Sequence, residues 1–560
     1  MRLVYLSMLL AVTGAFANDY GAGPVRKKLI QLGWDSPDAE SFAAHWKLVE
    51  KSPFDGIRIQ LKPRQAEGGR EVSFRNLFTS TPWKREWFVR DIELLKKANG
   101  KKRSGSFLAI AAGPAVDWFD DAAWKEVVEH ARIAAWIARE AGLRGLMFDP
   151  EVGNSQPAFA YIRQVNRDRY SFDEYSRKAR ERGREWMQAI ASEYPDMVFF
   201  TLFLNSGAAL GALGNDPREG LERGRNYTLY PAFLNGMLDV IPPGMTIVDG
   251  AEYSYPHSDE AQYLKHVNAI RNSALALVAP ENHARYRSQV QAALAIYLDA
   301  YTGIPLDNVH SDVYNDPPLK EGERLVDRLQ GALMSAQQIS DQYVWVWGER
   351  YQWWPTESNR VLPFHWEAIL PGITDALRRG MDPREAALAR ASREFEVTER
   401  KLAGSGRKPK NLLQNGSFPV SDKKVSLEGW QIAGAVEGDP AFGYRNRGAV
   451  RLVGGREARL SQAVPVSHRF YRVRSRVRQM GSGKPVVRIS WLEETGKPVG
   501  EDSELWAKHS PNDAWQSIEQ TVMAPREARQ LVVELFAEEQ TGEGDIVWFD
   551  DVEVIPIAVN

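Results

Sequence analysis

Short apolar segments recur through the first 355 residues, and each of them runs into a polar or charged residue. Helix-length amphipathic stretches separate most of these segments. This alternation predicts an α/β fold in which eight parallel strands form a TIM (β/α)8 barrel. The eight apolar segments lie at residues 29–35, 54–62, 104–114, 143–151, 197–206, 245–255, 295–303 and 343–351.

The helices between the predicted strands carry the best periodic signal. In residues 120–141 the apolar positions repeat every three to four residues, which predicts a helix packed on a core. Asp120 or Asp121 is expected to cap its start, and Gly142 to end it. Similar patterns predict further helices at residues 172–191, 321–340 and 383–403, and two helices broken near Ala279 and Pro280 within residues 259–298.

The sequence pattern changes after residue 403, so the barrel is expected to span residues 25–403. Residues 404–410 (GSGRKPK) contain no apolar side chain and are predicted to be a linker. Beyond the linker, apolar and polar positions alternate between turn signals as far as residue 560. Such alternation predicts a second domain, an antiparallel β-sandwich over residues 411–560.

Residues 1–17 have the pattern of a signal peptide. Arg2 precedes an apolar stretch that ends in Ala15-Phe16-Ala17, the small-x-small pattern of a cleavage site. The stretch is too short to span a membrane, and no later segment approaches about 18 apolar residues. The chain contains no cysteine, which excludes disulfides. We therefore expect a secreted or periplasmic bacterial protein without a membrane span.

Charge and motifs narrow the function classes. The net charge is −2 and no long run of one sign occurs, which argues against nucleic acid as a partner. The sequence lacks the GxSxG, GxxxxGK[ST] and HExxH motifs, and its histidines have no metal-ligand spacing. Catalysis by carboxylates without a cofactor is therefore expected.

The sharpest catalytic candidates end the fourth predicted strand. Side chains alternate along a strand, so Asp149 and Glu151 share a face with Met147. If Met147 points into the barrel, both acids line its upper mouth, where barrels of this type keep their chemistry. Capping of a helix or pairing with an arginine is the alternative role for either acid.

Two more carboxylates follow other strands. Asp249 and Glu252 differ in parity, so only one can face the mouth unless a bulge intervenes, and Glu252 is preferred. We expect Glu252 to act with either Asp149 or Glu151. Glu349, after the eighth strand, is either a third carboxylate in the site or the partner of an arginine, and it is the next catalytic candidate.

Polar and aromatic residues at the strand ends are candidates for binding substrate. Aromatic faces suit stacking on sugar rings, although Trp353 and Trp354 could instead plug the barrel rim. Asp35 could equally cap a helix. The predicted substrate-binding residues are Trp34, Asp35, Gln60, Asn205, Tyr253, Tyr255, His257, Asp299, Trp347, Arg350, Tyr351, Trp353 and Trp354.

The C-terminal domain resembles a known module. NLLQNGSF (411–418), Gly429-Trp430 and VWFDDVEV (547–554) are similar to the ends and middle of the jelly-roll carbohydrate-binding modules of bacterial glycoside hydrolases. This resemblance implies the sandwich fold and leaves a sugar ligand open, because many relatives of this sandwich bind no sugar. It also implies a structural Ca²⁺, to which Asp551 is a candidate contributor.

Residues 25–400 resemble a barrel glycoside hydrolase. Members with catalytic acids on strands four and seven use Asn-Glu and then Glu, whereas this chain has Asp149-Pro150-Glu151 and then Asp299. A pairing of strands four and six therefore fits better. Glycosidic cleavage needs two carboxyl groups beside the bond, which the strand ends supply. The sequence thus predicts a glycoside hydrolase acting on a carbohydrate, and the alternative is a non-catalytic glycan-binding or adhesion protein with a degenerate barrel.

Overall fold

The computed structural model describes residues 26–65, 71–98, 100–113, 116–151, 158–210, 217–224, 226–304, 323–445, 447–454, 457–507 and 513–559. The predicted signal peptide at residues 1–17 lies outside these ranges. The chain divides into two compact units, Met1–Pro383 and Arg384–Asn560. Each unit has a hydrophobic core of its own.

The first unit is built on a parallel sheet that curls into a nearly closed barrel. Its strands pair in the order β10-β11-β1-β2-β5-β6-β7-β8-β9, in which β9 and β10 are successive segments on either side of Ala293. A separate antiparallel pair, β3 and β4, lies outside this sheet. The strands are β1 (Lys28–Gly33), β2 (Gly56–Ile59), β3 (Arg64–Gln65), β4 (Glu71–Val72), β5 (Phe107–Ala111), β6 (Gly145–Asp149), β7 (Val198–Thr201), β8 (Thr246–Asp249), β9 (Val290–Ala292), β10 (Leu294–Tyr297) and β11 (Tyr343–Gly348).

Each predicted apolar segment overlaps a strand of the barrel sheet. The seventh begins earlier than predicted, at Val290, because Gln291 interrupts the run of apolar residues in β9. β9 pairs with β8, and β10 pairs with β11, so the two ends of the sheet nearly meet. The strand ends that follow this order therefore converge on one mouth.

Helices connect the strands, and their ends follow local capping rules. The Asp120 side chain accepts a hydrogen bond from the Ala123 amide at 3.0 Å, and Gly142 ends the helix region in a left-handed conformation, as predicted. No helix in the described ranges is both long and apolar enough to cross a bilayer. The helices are α1 (Ala39–Lys51), α2 (Val89–Lys97), α3 (Asp121–Glu140), α4 (Phe172–Glu193), α5 (Asn205–Leu210), α6 (Pro217–Arg223), α7 (Tyr230–Val240), α8 (Glu260–Arg271), α9 (His283–Gln289), α10 (Leu325–Ile339), α11 (Trp366–Ile369) and α12 (Ile373–Gly380).

Aromatic side chains fill the lower interior of the barrel. Phe107, Phe200 and Tyr343 meet edge to face, with ring centroids 5.5–6.0 Å apart. Higher up, the buried Trp345 indole donates a hydrogen bond to the carbonyl of Gly250 at 2.7 Å. Trp345 therefore packs inside the barrel. Because the lower interior is packed, the carboxyl ends of the strands form its open end.

The second unit is a β-sandwich. Two five-stranded antiparallel sheets, β14-β17-β22-β19-β20 and β15-β16-β23-β18-β21, share one buried core. A two-stranded ladder of β12 and β13 lies beside them. The elements are α13 (Pro383–Gly404), β12 (Val420–Ser421), β13 (Lys424–Val425), β14 (Gln431–Gly434), β15 (Val436–Asp439), β16 (Ala449–Val453), β17 (Ala458–Pro465), β18 (Phe470–Met480), β19 (Lys484–Leu492), β20 (Ser503–Trp506), β21 (Gln516–Met523), β22 (Gln530–Glu538) and β23 (Ile546–Ile557).

The helix α13 packs on the sandwich. Its buried Phe395 forms a small cluster with Ile555 and Ile557 of β23. Glu399 pairs with Arg474 of β18 at 2.7 Å. The chain therefore divides at the start of α13, whereas the sequence placed the linker after it, at residues 404–410. The charged sequence of α13 concealed the few apolar contacts that tie it to the sheet.

Candidate active site at the barrel mouth

The two acids that follow β6 lie at the mouth. Asp149 shares the inward face of β6 with Met147, as predicted. Its carboxylate accepts hydrogen bonds from Arg75 at 3.1 Å and from the Glu151 amide at 2.9 Å. Burial raises the pKa of Asp149, and the Arg75 charge opposes that shift. The phenol of Tyr227 hydrogen-bonds to Glu151, which lies one step further out.

A left-handed residue turns Glu252 toward these acids. Ala251, directly after β8, has φ of 45°, and its amide donates to Asp249 at 3.1 Å. The chain then folds into a 3-10 turn over Glu252–Ser254. Asp249 lies on the other face of β8, where it accepts a hydrogen bond from the Ser206 hydroxyl at 2.7 Å. The parity argument therefore separates the two acids correctly, and Asp249 holds the turn.

The three mouth acids share one electrostatic environment. Burial raises the pKa of Glu252 well above its ordinary value, and the charges of Glu151 and Asp149 raise it further. Burial and the Asp149 charge also raise the pKa of Glu151. These couplings require the carboxyl groups to be close neighbours. The structure thus brings together the acids that the sequence placed on strands four and six.

Arg58 lies beneath the acids and was missed in the sequence. It is buried on β2, and its guanidinium donates to the Gly33 carbonyl and the Ser36 hydroxyl, both at 3.2 Å. Burial and the neighbouring Arg75 lower its pKa to about 10. A charged residue inside the apolar strand FDGIRIQLK was a usable signal for Arg58. Arg75 lies in a loop, where the sequence carried no signal of its role.

Glu349 lies on the β11 side of the mouth. Its carboxylate accepts hydrogen bonds from the Trp34 indole at 3.3 Å and from the Tyr297 hydroxyl at 2.5 Å. Arg350 pairs instead with Asp299, at 3.1 Å. Of the two predicted roles for Glu349, the observed contacts thus favour a carboxylate on the site over the partner of an arginine.

A cavity of about 650 Å³ adjoins the acids. Its walls include Gln60, Arg75, Arg360 and Trp34, whose indole packs edge to face on Trp347 with centroids 5.2 Å apart. The Arg360 guanidinium lies 4.2 Å from the Trp34 ring centre. The described residues that line the cavity do not include the mouth carboxylates. Two of its wall residues contact them, because Arg75 donates to Asp149 and Trp34 donates to Glu349.

Several residues predicted to bind substrate are buried in the barrel rim instead. Asp35 accepts hydrogen bonds from Gln31 and from the Trp353 amide, both at 2.8 Å, and burial raises its pKa to about 6. Asp299 is fully buried and accepts the Glu349 amide at 2.7 Å. Since their oxygens hold backbone and side-chain donors, these two acids support the rim. The aromatic residues Tyr351, Trp353 and Trp354 are also buried and support the rim.

The remaining predicted residues surround the Glu252 turn. Tyr253 is 47% exposed, and Tyr255 packs edge to face on Trp345 with centroids 5.3 Å apart. His257 forms a ring-nitrogen contact with His266 at 2.7 Å. Asn205 is buried, and its amide has no hydrogen-bond partner among the described residues. A buried unsatisfied amide at the mouth is a group that a polar ligand can satisfy.

No metal centre is evident in the described residues, because they contain no group of three or more His, Asp or Glu side chains placed to hold an ion. Asp551 of the sandwich lines a cavity together with Arg474 and Arg476. The expected calcium contribution of Asp551 stays a prediction.

Comparison with known proteins gives no family for the chain. No family model and no curated sequence matches it. Solved structures align with about a quarter of the chain. A phage CBA120 tailspike protein 4 domain shares 12% identity and a TM-score of 0.22 over 26% of this chain and 21% of its own. TmCBM61, solved with β-1,4-galactotriose, shares 18% identity and a TM-score of 0.21 over 26% and 99%. The CBM22-1 xylan-binding domain of Paenibacillus barcinonensis Xyn10C shares 11% identity and a TM-score of 0.21 over 27% and 97%. At these values the similarities support no statement about activity or ligand.

Proposed function

We propose that this protein is a glycoside hydrolase whose site is the mouth of the first unit. In this proposal Glu252 is the general acid and Glu151 is the ionised partner, acting as nucleophile or base. The barrel is then a (β/α)8 catalytic barrel, with β9 and β10 together as its seventh strand, and the sandwich is a jelly-roll module. The observation that carries the proposal is the mutual coupling of the carboxyl groups beside an open cavity.

The electrostatic asymmetry supports these roles. A carboxyl group whose pKa is raised well above its usual range keeps its proton to higher pH, as a general acid must. The pKa of Glu151 is also raised, but its side chain is more exposed than that of Glu252, and the Tyr227 hydrogen bond opposes the shift by favouring the charged form. Arg75 and a backbone amide hold the Asp149 carboxylate in place, and its charge acts on Glu151 and Glu252.

The reaction follows from the positions of these groups. Glu252 gives its proton to the glycosidic oxygen as the bond to the anomeric carbon breaks. Glu151 either attacks that carbon or takes a proton from the water that does. Trp34 and Gln60, on the cavity wall, offer a ring face and an amide to the sugar units beyond the cleaved bond.

The test begins with a glycan panel and the full-length protein. On the substrate found, Glu252→Gln and Glu151→Gln should each lower kcat by at least about 10²-fold, because each removes an acid–base function. The melting temperature should stay nearly unchanged, since neither carboxylate is fixed by a buried ion pair. Steady-state kinetics and thermal unfolding measure the two effects.

Glu93→Gln is the matched control, because Glu93 is an exposed carboxylate on α2. It should retain wild-type turnover. Near wild-type turnover in Glu252→Gln would show that the acid is assigned wrongly, and Glu349→Gln would then be tested. A protein that binds glycans from the panel but cleaves none of them would contradict hydrolysis altogether.

A further inference from the structure

A row of arginines crosses one face of the sandwich. Alternation along β18 places Arg472, Arg474, Arg476 and Arg478 on the outer face of its sheet, while the residues between them are buried. Four cations at two-residue spacing repel one another unless anions neutralise them. Carboxylates of the protein or an anionic ligand must therefore neutralise the row.

Half of this row is neutralised within the protein. Arg472 pairs with Glu519 at 2.9 Å, and Arg474 pairs with both Glu553 and Glu399 of α13. The Phe395 ring lies against the same two guanidinium groups. These two arginines thus belong to the interface that holds α13 on the sheet.

The other half has no such partners. Among the described residues, no carboxylate forms an ion pair with Arg476 or Arg478. Arg476 instead lies 4.5 Å from the centre of the Tyr444 ring, and Arg478 lies 5.1 Å and 5.6 Å from the centres of the Phe442 and Trp548 rings. The buried Nε of Arg478 has no hydrogen-bond acceptor in the part of the chain that the structure describes.

A cavity of about 340 Å³ opens beside Arg476. The loop after β15 brings Arg445 and Arg447 to its wall, and Lys408 adds another cation. The pairing of β18 with β23 shifts register between Arg474 and Arg476, and Ser475 and Asp551 line the cavity beside this irregularity. Glu519 and Glu553 are already paired, and Asp551 is the acid of the wall that forms no ion pair with any residue that the structure describes.

We propose that this cavity binds the carboxylate or sulfate groups of an acidic polysaccharide, with Arg445, Arg447 and Arg476 as the recognising residues. Guanidinium groups bind such anions through paired N–H donors. A concave pocket with hydroxyl groups and the Tyr444 ring in its wall suits a sugar chain better than a nucleic acid, which a long basic stripe would bind. The site is separate from the barrel and does not depend on hydrolysis there.

The test measures binding of the full-length protein to polygalacturonate, dextran sulfate, neutral dextran and a DNA duplex. We expect binding to one or both acidic polysaccharides, weakening as salt is added, and none to dextran. Arg447→Ala/Arg476→Ala should weaken that binding at least about tenfold, the loss expected for one or more charge-assisted hydrogen bonds. The two acidic polymers distinguish a carboxylate from a sulfate ligand.

Arg445→Ala/Arg447→Ala is the second variant, because both residues are exposed and leave the sheet intact. It should show the same direction of effect. Arg459→Ala removes one positive charge from the other sheet and should bind as the wild type does. Unchanged binding in both double variants, equal binding of dextran, or binding of DNA alone would overturn the proposal.

Discussion

Individual carboxylates in this protein differ in role because their donors differ. Asp35 and Asp299 are fully buried, and backbone amides occupy their oxygens. Glu151 and Glu252 lie at the mouth, where other acids raise the pKa of each. All four follow predicted strands, so position along the chain does not separate a rim support from a catalytic candidate. The hydrogen-bond donors around each carboxylate separate the two roles.

The phenol of Tyr255 offers a direct test of the Glu252 assignment. The Tyr255 phenol favours the charged form of Glu252 and so opposes the rise of that pKa. Tyr255→Phe removes the phenol, so the pKa should rise further and Glu252 should stay protonated to higher pH. The alkaline limb of kcat/KM should move up by about half to one pH unit. A pH–rate profile measures the shift.

Tyr194→Phe is the control for this profile, because the Tyr194 hydroxyl donates to Leu143, before the start of β6. Its alkaline limb should coincide with that of the wild type. A downward shift in Tyr255→Phe, or no shift at all, would mean that Glu252 is not the acid that limits the rate at high pH.

Sequence reasoning located the mouth acids because strand parity is a strong constraint. It placed Asp149 inward and separated Asp249 from Glu252. It could not foresee that Ala251 adopts a left-handed conformation, which L-residues with a Cβ rarely do. It also missed Arg75, since the pairing of a loop residue with Asp149 depends on how the loop folds over the mouth.

At the level of elements, the segment after β11 shows that aromatic residues clustered in the sequence need not be exposed in the fold. Trp353 and Trp354 follow the strand closely and suggested an exposed platform for sugars. Both are buried, because the chain returns over them: Trp353 stacks on Trp366 of α11, and the Trp354 indole donates to the Asp35 carbonyl at 2.9 Å. Trp353 and Trp354 therefore plug the barrel rim, which was the alternative that the sequence left open. The half-buried Trp34 and Trp347 are the aromatic pair at the mouth.

Alanine substitutions should separate these two pairs. Trp353→Ala and Trp354→Ala should each lower the free energy of unfolding by about 3–5 kcal/mol, because each empties a packed site. Trp34→Ala should cost less stability and raise KM, because Trp34 lines the cavity. Urea unfolding and steady-state kinetics give the two readouts. An undiminished stability in both rim variants would contradict their burial.

In the whole molecule, the two compact units meet the sequence prediction except at their boundary. The barrel is predicted by apolar runs that alternate with amphipathic helices. The sandwich is predicted by the strict alternation of apolar and polar residues that follows. The boundary depends on four apolar side chains, Ala391, Phe395, Ile555 and Ile557, which no periodicity joins. Long-range packing of this kind assigns α13 to the sandwich.

Two fragments test this assignment. Residues 384–560 should fold alone with a cooperative transition, because their core and the cluster around Phe395 are both contained in the fragment. Residues 405–560 lack α13, expose Ile555 and Ile557, and leave Arg474 without Glu399. The shorter fragment should be less stable by at least about 3 kcal/mol, the loss typical of one buried Phe side chain. Phe395→Ala in the longer fragment should reproduce most of that loss in urea unfolding. If both fragments unfolded at the same urea concentration, α13 would contribute nothing to the sandwich and the boundary would lie at residues 404–410.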